Sequence, residues 1–265
     1  RYDSRWNIWR HVPEDRLKSL FEVFILNLLN EPKSTGSKRS ISSIYTYISQ
    51  IRKWEKDLNE ITGTTTNLTI EIENKITANT AGINIIEPEI LNKITDCILN
   101  ESIWRNILIH SRVKAMFFIM IQTGMRQSEI IKLNKVDYED RKLLIYSNKN
   151  RRIALNENST KVLEQYLDLR FDNNEALFIN QDFQRITKSS VENAWKRVSQ
   201  KINIHFSSID LRRTSAVLFA KSGASPEELK ELYGFRTKQI ATKYFKEGTE
   251  RKSLEKQMKF NPLSI

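Results

Sequence analysis

The sequence is poor in the residues that build metal and nucleotide sites. Its 265 residues include one cysteine, three histidines and seven glycines. A single cysteine excludes a disulfide within the chain, and no Cys and His residues have the spacing of a zinc site. No glycines have the spacing of a dinucleotide fingerprint or a P-loop. The sequence therefore predicts a protein without a metal or another cofactor.

Long apolar runs are also missing. The longest, Phe21–Leu29 and Ala115–Ile121, are too short to cross a bilayer, and no signal peptide is visible. The sequence therefore predicts a soluble, intracellular protein that does not span a membrane, and these apolar runs predict no membrane partner. The first residue is Arg1 rather than Met, which is consistent with a fragment of a longer protein.

What the sequence does have is positive charge. Lys and Arg number 43 against 32 Asp and Glu, which gives a formal net charge of +11. On a folded chain such an excess favours a polyanionic partner, with nucleic acid first and an anionic membrane surface second. Charge alone does not separate this interpretation from simple solubility.

The hydrophobic pattern divides the chain into two mainly helical regions. Residues 1–62 hold two predicted helices, and residues 63–86 change to Thr, Asn and Gly, which is typical of a linker. Residues 87–265 are mostly helical, with a predicted hairpin between Lys142 and Asn156 and a third strand at Leu177–Ile179. The predicted fold class is mainly α with a small antiparallel β-sheet.

One face of the second predicted helix and the residues before it are basic and polar. Arg39, Lys53 and Lys56 lie on this face, opposite an isoleucine stripe. The face is a candidate surface for a phosphate backbone. The alternative is an ordinary solvated helix face.

Four residues in the second region form a set that suits phosphoryl chemistry. Arg126 and Arg212 each sit at a helix start, Lys149 lies at the tip of the hairpin, and Tyr244 follows Gly234 by ten residues. Two arginines can hold the non-bridging oxygens of a phosphodiester and stabilise the charge that builds at phosphorus. A tyrosine can attack the phosphorus, and a lysine can protonate the leaving oxygen.

These segments resemble the catalytic domain of the tyrosine recombinases, the group of phage integrases, Xer and Cre proteins. Thr123–Glu129 resembles the family's Thr-Gly-Leu-Arg-x-x-Glu stretch, with methionine for leucine. Ile209–Thr214 corresponds to the His-x-Leu-Arg-His-Thr box, and Tyr233–Phe235 to the Leu-Gly-His box. The family's nucleophile falls on Tyr244, ten residues past the glycine of that last box. The resemblance covers roughly Glu87–Phe245.

The resemblance implies a site-specific recombinase or integrase that cleaves and rejoins double-stranded DNA through a 3′-phosphotyrosine intermediate. The implied catalytic residues are Arg126, Lys149, Arg212 and Tyr244. The implied architecture is a two-domain DNA clamp: a helical core-binding domain (1–62), a linker (63–86) and a catalytic domain with a C-terminal tail (87–265). No cofactor is implied, and the protein is expected inside the cell with the DNA.

The resemblance also implies an oligomer. In this family the C-terminal tail docks on a neighbouring protomer, and strand exchange takes place in a tetramer. The tail of this chain carries an apolar stripe at Leu254, Met258 and Phe260. The alternative is a tail without ordered structure.

Two positions depart from the family pattern. Ile209 stands where the second box has histidine, and Phe235 stands where the third box has histidine or tryptophan. These side chains lack the polar function of their counterparts. Arg213, Arg236 and His205 are the candidates to substitute for them. Nothing in the sequence shows how the three are oriented.

Several alternatives stay open. Lys142 replaces Lys149 as the candidate acid if the short hairpin shifts its register. Tyr244 is a core residue rather than a nucleophile if it packs with Phe245. The departures at Ile209 and Phe235 also suit a DNA-binding protein that keeps the recombinase fold and has lost catalysis. A monomeric topoisomerase would use the same chemistry.

Overall fold

The computed structural model describes residues 13–30, 41–63, 83–146 and 150–259. They fall in two compact units, Arg1–Ala81 and Gly82–Ile265. Most of the predicted linker lies outside the described residues, so the predicted domain boundaries stay a prediction.

The first unit contains the two predicted helices, α1 (Glu14–Asn30) and α2 (Ile41–Thr62). Their apolar stripes meet in a small core of Ile25, Leu28, Ile44 and Ile48. The helices therefore form because each buries one face against the other.

The basic face of α2 is exposed where the structure describes it. The side chains of Lys53 and Lys56 face solvent, and Lys56 lies 3.7 Å from Glu60, one turn later. Arg39 lies outside the described residues. An exposed pair of this kind contributes little to stability, so both lysines remain accessible to a charged partner.

The second unit is mainly helical, as predicted. Its helices are α3 (Pro88–Leu99), α4 (Ile107–Thr123), α5 (Gln127–Lys132), α6 (Glu157–Asp168), α7 (Lys188–Ile202), α8 (Ser208–Ser222), α9 (Pro226–Tyr233) and α10 (Lys238–Lys259). Short 3₁₀ turns cover Glu101–Ile103 and Lys135–Asp137.

Side-chain caps decide where several of these helices begin. Ser225 accepts a hydrogen bond from the Glu228 backbone, and the Glu228 carboxylate accepts one from the Ser225 backbone, so α9 starts as its sequence predicts. Ser207 and Asp210 form the same reciprocal cap on α8. Helix α8 consequently begins at Ser208, and the second-box residues lie in its first turns.

The sheet has three antiparallel strands in the order β1 (Tyr138–Glu139), β2 (Lys142–Ile145) and β3 (Arg151–Ala154). The predicted hairpin is confirmed as β2 and β3, with Leu143 opposite Ile153 and Ile145 opposite Arg151. Side chains alternate between the two faces along a strand, so the residues of these two pairs are all buried on one face of the sheet.

The predicted third strand at Leu177–Ile179 is wrong. The third strand is β1, which precedes the hairpin. Residues 177–179 make one backbone–backbone bond on each side among the described residues: Leu177 donates to the Leu133 carbonyl, and the Phe178 carbonyl accepts from Ile186. All three residues are buried. Burial of a short apolar run does not by itself require a ladder.

Helix α4 runs through the core of this unit. Met116, Ile119 and Met120 on it are almost fully buried, and it packs against α6 and α8. Helix α10 crosses α8 closely, since a Cβ atom added at Gly248 would lie 2.6 Å from the Ala220 Cβ. The packing brings together the end of α4, the start of α8 and the end of α9.

Candidate active site

The turn between α4 and α5 positions Arg126. Helix α4 ends at Gly124 in the left-handed conformation, with φ of +59°. A Cβ atom at this position would lie 2.1 Å from Cε1 of Tyr233, so the turn packs directly on that ring. Arg126 follows as the first-turn cap of α5, and its side chain stays 42% exposed. The turn thus presents a guanidinium at the surface.

Glu129 fixes this guanidinium from below. Its carboxylate, 6% exposed, accepts bonds from the Arg126 backbone N–H (2.7 Å) and from Arg126 Nη1 (2.9 Å). Arg151 on β3 donates to both carboxylate oxygens, at 3.0 and 2.8 Å. Burial alone would raise the pKa of Glu129, but these hydrogen bonds and positive charges outweigh it and lower the pKa. Glu129 is therefore a charged support for two arginines.

Arg212, in the first turns of α8, approaches the same place from the other side. It donates Nη1 to the Gly124 carbonyl and Nη2 to the Tyr233 carbonyl, the latter at 2.6 Å. Its pKa is lowered to about 10 by burial and by the nearby charge of Arg126. The guanidinium thus stays protonated at neutral pH. Its surroundings disfavour the positive charge, and a bound anion would offset this effect.

The turn after α9 is where the three arginines converge. Arg126 Nη2 donates to the Gly234 carbonyl at 2.9 Å, one residue after the carbonyl that Arg212 uses. Arg151 Nε donates to the Leu232 carbonyl at 2.9 Å. A Cβ atom at Gly234 would lie 3.1 Å from Nη1 of Arg151. Three consecutive carbonyls therefore each hold one guanidinium.

An aromatic stack connects this cluster to Tyr244 on α10. The rings of Tyr233 and Phe235 lie 5.6 Å apart and nearly parallel, and those of Phe235 and Tyr244 lie 5.1 Å apart at 8°. The Arg212 guanidinium sits 5.0 Å from the Phe235 ring centroid. Phe235 therefore contacts both the Tyr244 ring and the Arg212 guanidinium.

The two tyrosines of the stack differ in chemistry. Tyr233 is 2% exposed, its hydroxyl bonds to the Ser215 hydroxyl at 2.8 Å, and burial raises its pKa to about 12. Tyr244 is only partly buried. An accessible hydroxyl is needed for attack on an external substrate, so the buried and hydrogen-bonded hydroxyl of Tyr233 is unsuited to it, and Tyr244 stays the predicted nucleophile.

A sequence model of the phage integrase family matches residues 98–251, more than half of the chain. The chain belongs to the phage integrase family. The matched residues include the whole arginine cluster and Tyr244.

Curated relatives of this phage integrase family chain are tyrosine recombinases. The XerC tyrosine recombinase of Corynebacterium glutamicum is 32% identical over 142 residues, which are 50% of this chain and 46% of that protein. The XerD tyrosine recombinase of Oceanobacillus iheyensis is 25% identical over 229 residues, 79% of this chain and 72% of that protein. The matched part of the chain spans about half the length of the XerC relatives.

Solved structures share the fold of this integrase-family chain. A XerH site-specific recombinase bound to a palindromic difH substrate aligns with a TM-score of 0.70 and 18% identity, over 94% of this chain and 72% of that one. A Tn1549 transposon integrase in complex with circular intermediate DNA aligns with a TM-score of 0.71 and 15% identity, over 93% and 85%.

The two lysines considered for the acid role have different outcomes. Lys149 lies outside the described residues. Lys142 is exposed and pairs with Ala154 on the sheet face opposite to Arg151 and Leu143. The structure therefore does not bring Lys142 to the arginine cluster of the integrase-family site.

Ile209 and the three residues predicted to substitute for the missing polar side chains lie outside the arginine cluster. Ile209 is 62% exposed and lines a mainly apolar groove of about 810 Å³, together with the exposed His205. Arg213 lies 3.9 Å from Asp210, and Arg236 is exposed just after Phe235. The structure records no contact of Arg213, Arg236 or His205 with the arginine cluster among the described residues.

Sequence reasoning missed Arg151. It lies two residues after Lys149 and looks like an ordinary basic strand residue. The only available signal was the strand alternation, which puts Arg151 on the same buried face as Ile153. A buried arginine needs a partner, and Glu129 is that partner.

Among the described residues, no helix is both long and apolar enough to span a membrane. Within the same residues, no group of three or more His, Cys, Asp and Glu side chains is arranged to hold a metal ion.

Proposed function

We propose that this chain is a site-specific DNA recombinase or integrase that cleaves and rejoins duplex DNA through a 3′-phosphotyrosine intermediate. The observation that carries the proposal is the anchoring of Arg126 and Arg212 on consecutive carbonyls, with Tyr244 stacked on Phe235, the ring that Arg212 also contacts. Tyrosine recombinases among its relatives support the same activity.

The arginines hold the scissile phosphate. Arg126 is partly exposed and positioned by Glu129, so its remaining N–H groups can donate to one non-bridging oxygen. Arg212 donates to the other oxygen. A phosphodiester anion between the two guanidinium groups offsets their mutual repulsion, which is one of the causes that lower the pKa of Arg212. Charge that develops on phosphorus during attack strengthens both interactions.

The proposed reaction exchanges one phosphodiester for another. The Tyr244 oxygen gives its proton to solvent water and forms a bond to phosphorus while the bond to the 5′ oxygen breaks. The Lys149 ammonium supplies the proton that the 5′ oxygen takes up, which leaves a free 5′ hydroxyl and a 3′-phosphotyrosyl bond. The reverse steps rejoin a strand without an external energy source.

Two further parts of the proposal concern partners. The exposed Lys53 and Lys56 of α2, with Arg39, contact the DNA backbone from the core-binding domain (1–62), while residues 87–265 supply catalysis. Helix α10 presents Leu254 (53% exposed) and Met258 (87% exposed), and this apolar surface joins protomers at synapsis, up to a tetramer. The helix extends through Lys259, and Phe260, the third residue of the predicted apolar stripe, lies outside the described residues.

The test uses a pool of nicked duplexes with randomised sequence, incubated with the full chain. The nick lets a short 5′ product diffuse away and traps the covalent intermediate. Protein–DNA adducts that survive denaturation are expected for the unaltered chain and are expected to disappear for Tyr244→Phe. Tyr146→Phe is the matched control, since Tyr146 is exposed at the end of β2.

The outcomes also separate the alternatives. Non-covalent, salt-sensitive binding of the same pool without any adduct would contradict the proposal and support a DNA-binding protein without catalysis, as Ile209 and Phe235 permit. Adducts together with relaxation of supercoiled DNA, but without exchange between two sites, would identify a topoisomerase.

A further inference from the structure

A second group of arginines lines a cavity at the other end of α4. The cavity has a volume of about 390 Å³, and Arg105, Arg112 and Arg197 contribute to its wall. The part of helix α4 from Arg112, at the cavity, to Thr123, at the C-terminal end of the helix, is about 17 Å long. None of the residues that line the cavity belongs to the Arg126–Glu129–Arg151–Arg212 cluster.

The three guanidinium groups of this cavity face neutral partners. Arg112 Nη1 donates to the Ile179 carbonyl (2.6 Å), Arg197 Nη1 to the Ile103 carbonyl (3.2 Å), and Arg105 Nη1 to Gln181 Oε1 (3.3 Å). Within the part of the chain that the structure describes, none of the three forms an ion pair with a carboxylate. Each of the three positive charges is therefore without a directly bonded counter-charge in this part of the chain.

Arg112 is the strongest indication of a ligand. Its residue is 7% exposed, and its Nε has no hydrogen-bond partner among the described residues. A guanidinium carries five N–H donors, and a buried charge without a counter-charge costs free energy. Burial accordingly lowers the pKa of Arg112. An anion in the cavity would offset this cost.

The remaining polar groups of the wall suit an oxyanion. Ser190 and Asn193 supply a hydroxyl and an amide, and Asp182 is the one carboxylate that lines the cavity. Three cations against one anion leave an excess of positive charge. The planar forks of arginine match the oxygens of a phosphate.

We propose that this cavity binds a phosphate group. Two sources share this chemistry: a free phosphate ion, and a phosphate of the DNA backbone. The second source rests on the proposed function, whereas the first does not.

The test uses the indole N–H signal of Trp104 in the full, ¹⁵N-labelled chain as a local reporter. Trp104 lines the cavity, and the Arg197 guanidinium lies 6.0 Å from its ring. Inorganic phosphate is added at fixed pH, with sodium chloride adjusted to constant ionic strength. A saturable shift of this signal is expected. The reporter is local, so phosphate bound at Arg126 does not interfere.

The deciding variant is Arg105→Gln, because Arg105 is exposed and a substitution at an exposed position usually changes the free energy of unfolding by no more than about 0.5 kcal/mol. It is expected to weaken phosphate binding about tenfold, since it removes a charged hydrogen bond. Lys161→Gln, an exposed lysine on α6, is the matched control and should leave binding unchanged. No saturable shift, or equal binding by both variants, would overturn the proposal.

A duplex arm then separates the sources. If the source is backbone phosphate, a 20-base-pair duplex shifts the Trp104 signal, and Arg105→Gln reduces the salt slope of DNA binding by about one. If the source is free phosphate, the duplex leaves the signal in place. Either result supports the site, and neither depends on whether Tyr244 forms an adduct.

Discussion

A group of arginines lies near each end of α4, and the two groups differ in the charge of their hydrogen-bond partners. At the C-terminal end, Arg126 and Arg151 share the buried carboxylate of Glu129, and backbone carbonyls fix their directions. At the N-terminal end, Arg105 and Arg112 bond to neutral oxygens among the described residues. The first group is oriented by its partners in the absence of a substrate, which suits the proposed catalysis. The second group has positive charge without a paired carboxylate in the described part of the chain, which suits the proposed binding of an anion.

Removing the shared carboxylate should give the largest effect. Glu129→Ala leaves Arg151 buried without its counter-charge, so the free energy of unfolding should fall by about 3–5 kcal/mol. Asp182→Ala, at the wall of the other cavity, should change it by less than about 0.5 kcal/mol. Urea unfolding of both variants measures the difference.

The pH dependence of stability tests whether the charge of Glu129 causes this loss. The pKa of Glu129 is lowered in the folded chain, so its contribution is present above the unfolded pKa of about 4.3. It is lost as the pH falls through the folded pKa. The stability difference between the unaltered chain and Glu129→Gln should therefore shrink from pH 7 to pH 3. A constant difference would contradict the ion-pair account.

The turn that carries Arg126 should tolerate little change. Gly124→Ala combines left-handed backbone strain with a clash against the Tyr233 ring, so a loss of about 2–4 kcal/mol is expected. Gly63→Ala has a similar φ of +66° and nothing within 4 Å of the added Cβ. It should cost only the strain, about 1–2 kcal/mol. Thermal unfolding that gives equal losses would show that the contact with Tyr233 does not matter.

A change in the aromatic stack should have the smallest effect, and the quantity expected to change is the rate of adduct formation. Phe235→Leu removes the ring that contacts both Tyr244 and Arg212, and an aromatic pair contributes about 0.5–1.5 kcal/mol beyond its buried area. Adduct formation should slow about three- to tenfold, with DNA affinity unchanged. Phe219→Leu, whose ring lies 6.2 Å from Tyr233 on the side of α8, is the control. An unchanged rate in Phe235→Leu, whether or not the control is slower, would contradict the role of Phe235.

Local spacing made part of this site predictable. Arg126 and Arg212 follow helix-start patterns, and the hairpin is visible as two short apolar runs. Arg151 was not predictable, because its partner Glu129 is 22 residues away and only burial shows that the pair exists. The two-residue strand β1 is too short to give a pattern.

The role of Phe235 also needed coordinates. In the sequence it indicates only the loss of a polar side chain, whereas the structure shows it stacked on Tyr244 and beneath Arg212. The second arginine group shows the same limit, because Arg105, Arg112 and Arg197 come from separate segments and share no motif.

The most direct test of the account identifies the residue that carries the DNA. The chain has eight tyrosines, and the account assigns the covalent bond to Tyr244 alone. Adducts trapped on the nicked duplex pool are digested with protease and nuclease, and the modified peptide is sequenced by mass spectrometry. The account predicts a nucleotide 3′-phosphate on Tyr244. A phosphate on another residue, or an adduct that persists in Tyr244→Phe, would contradict it.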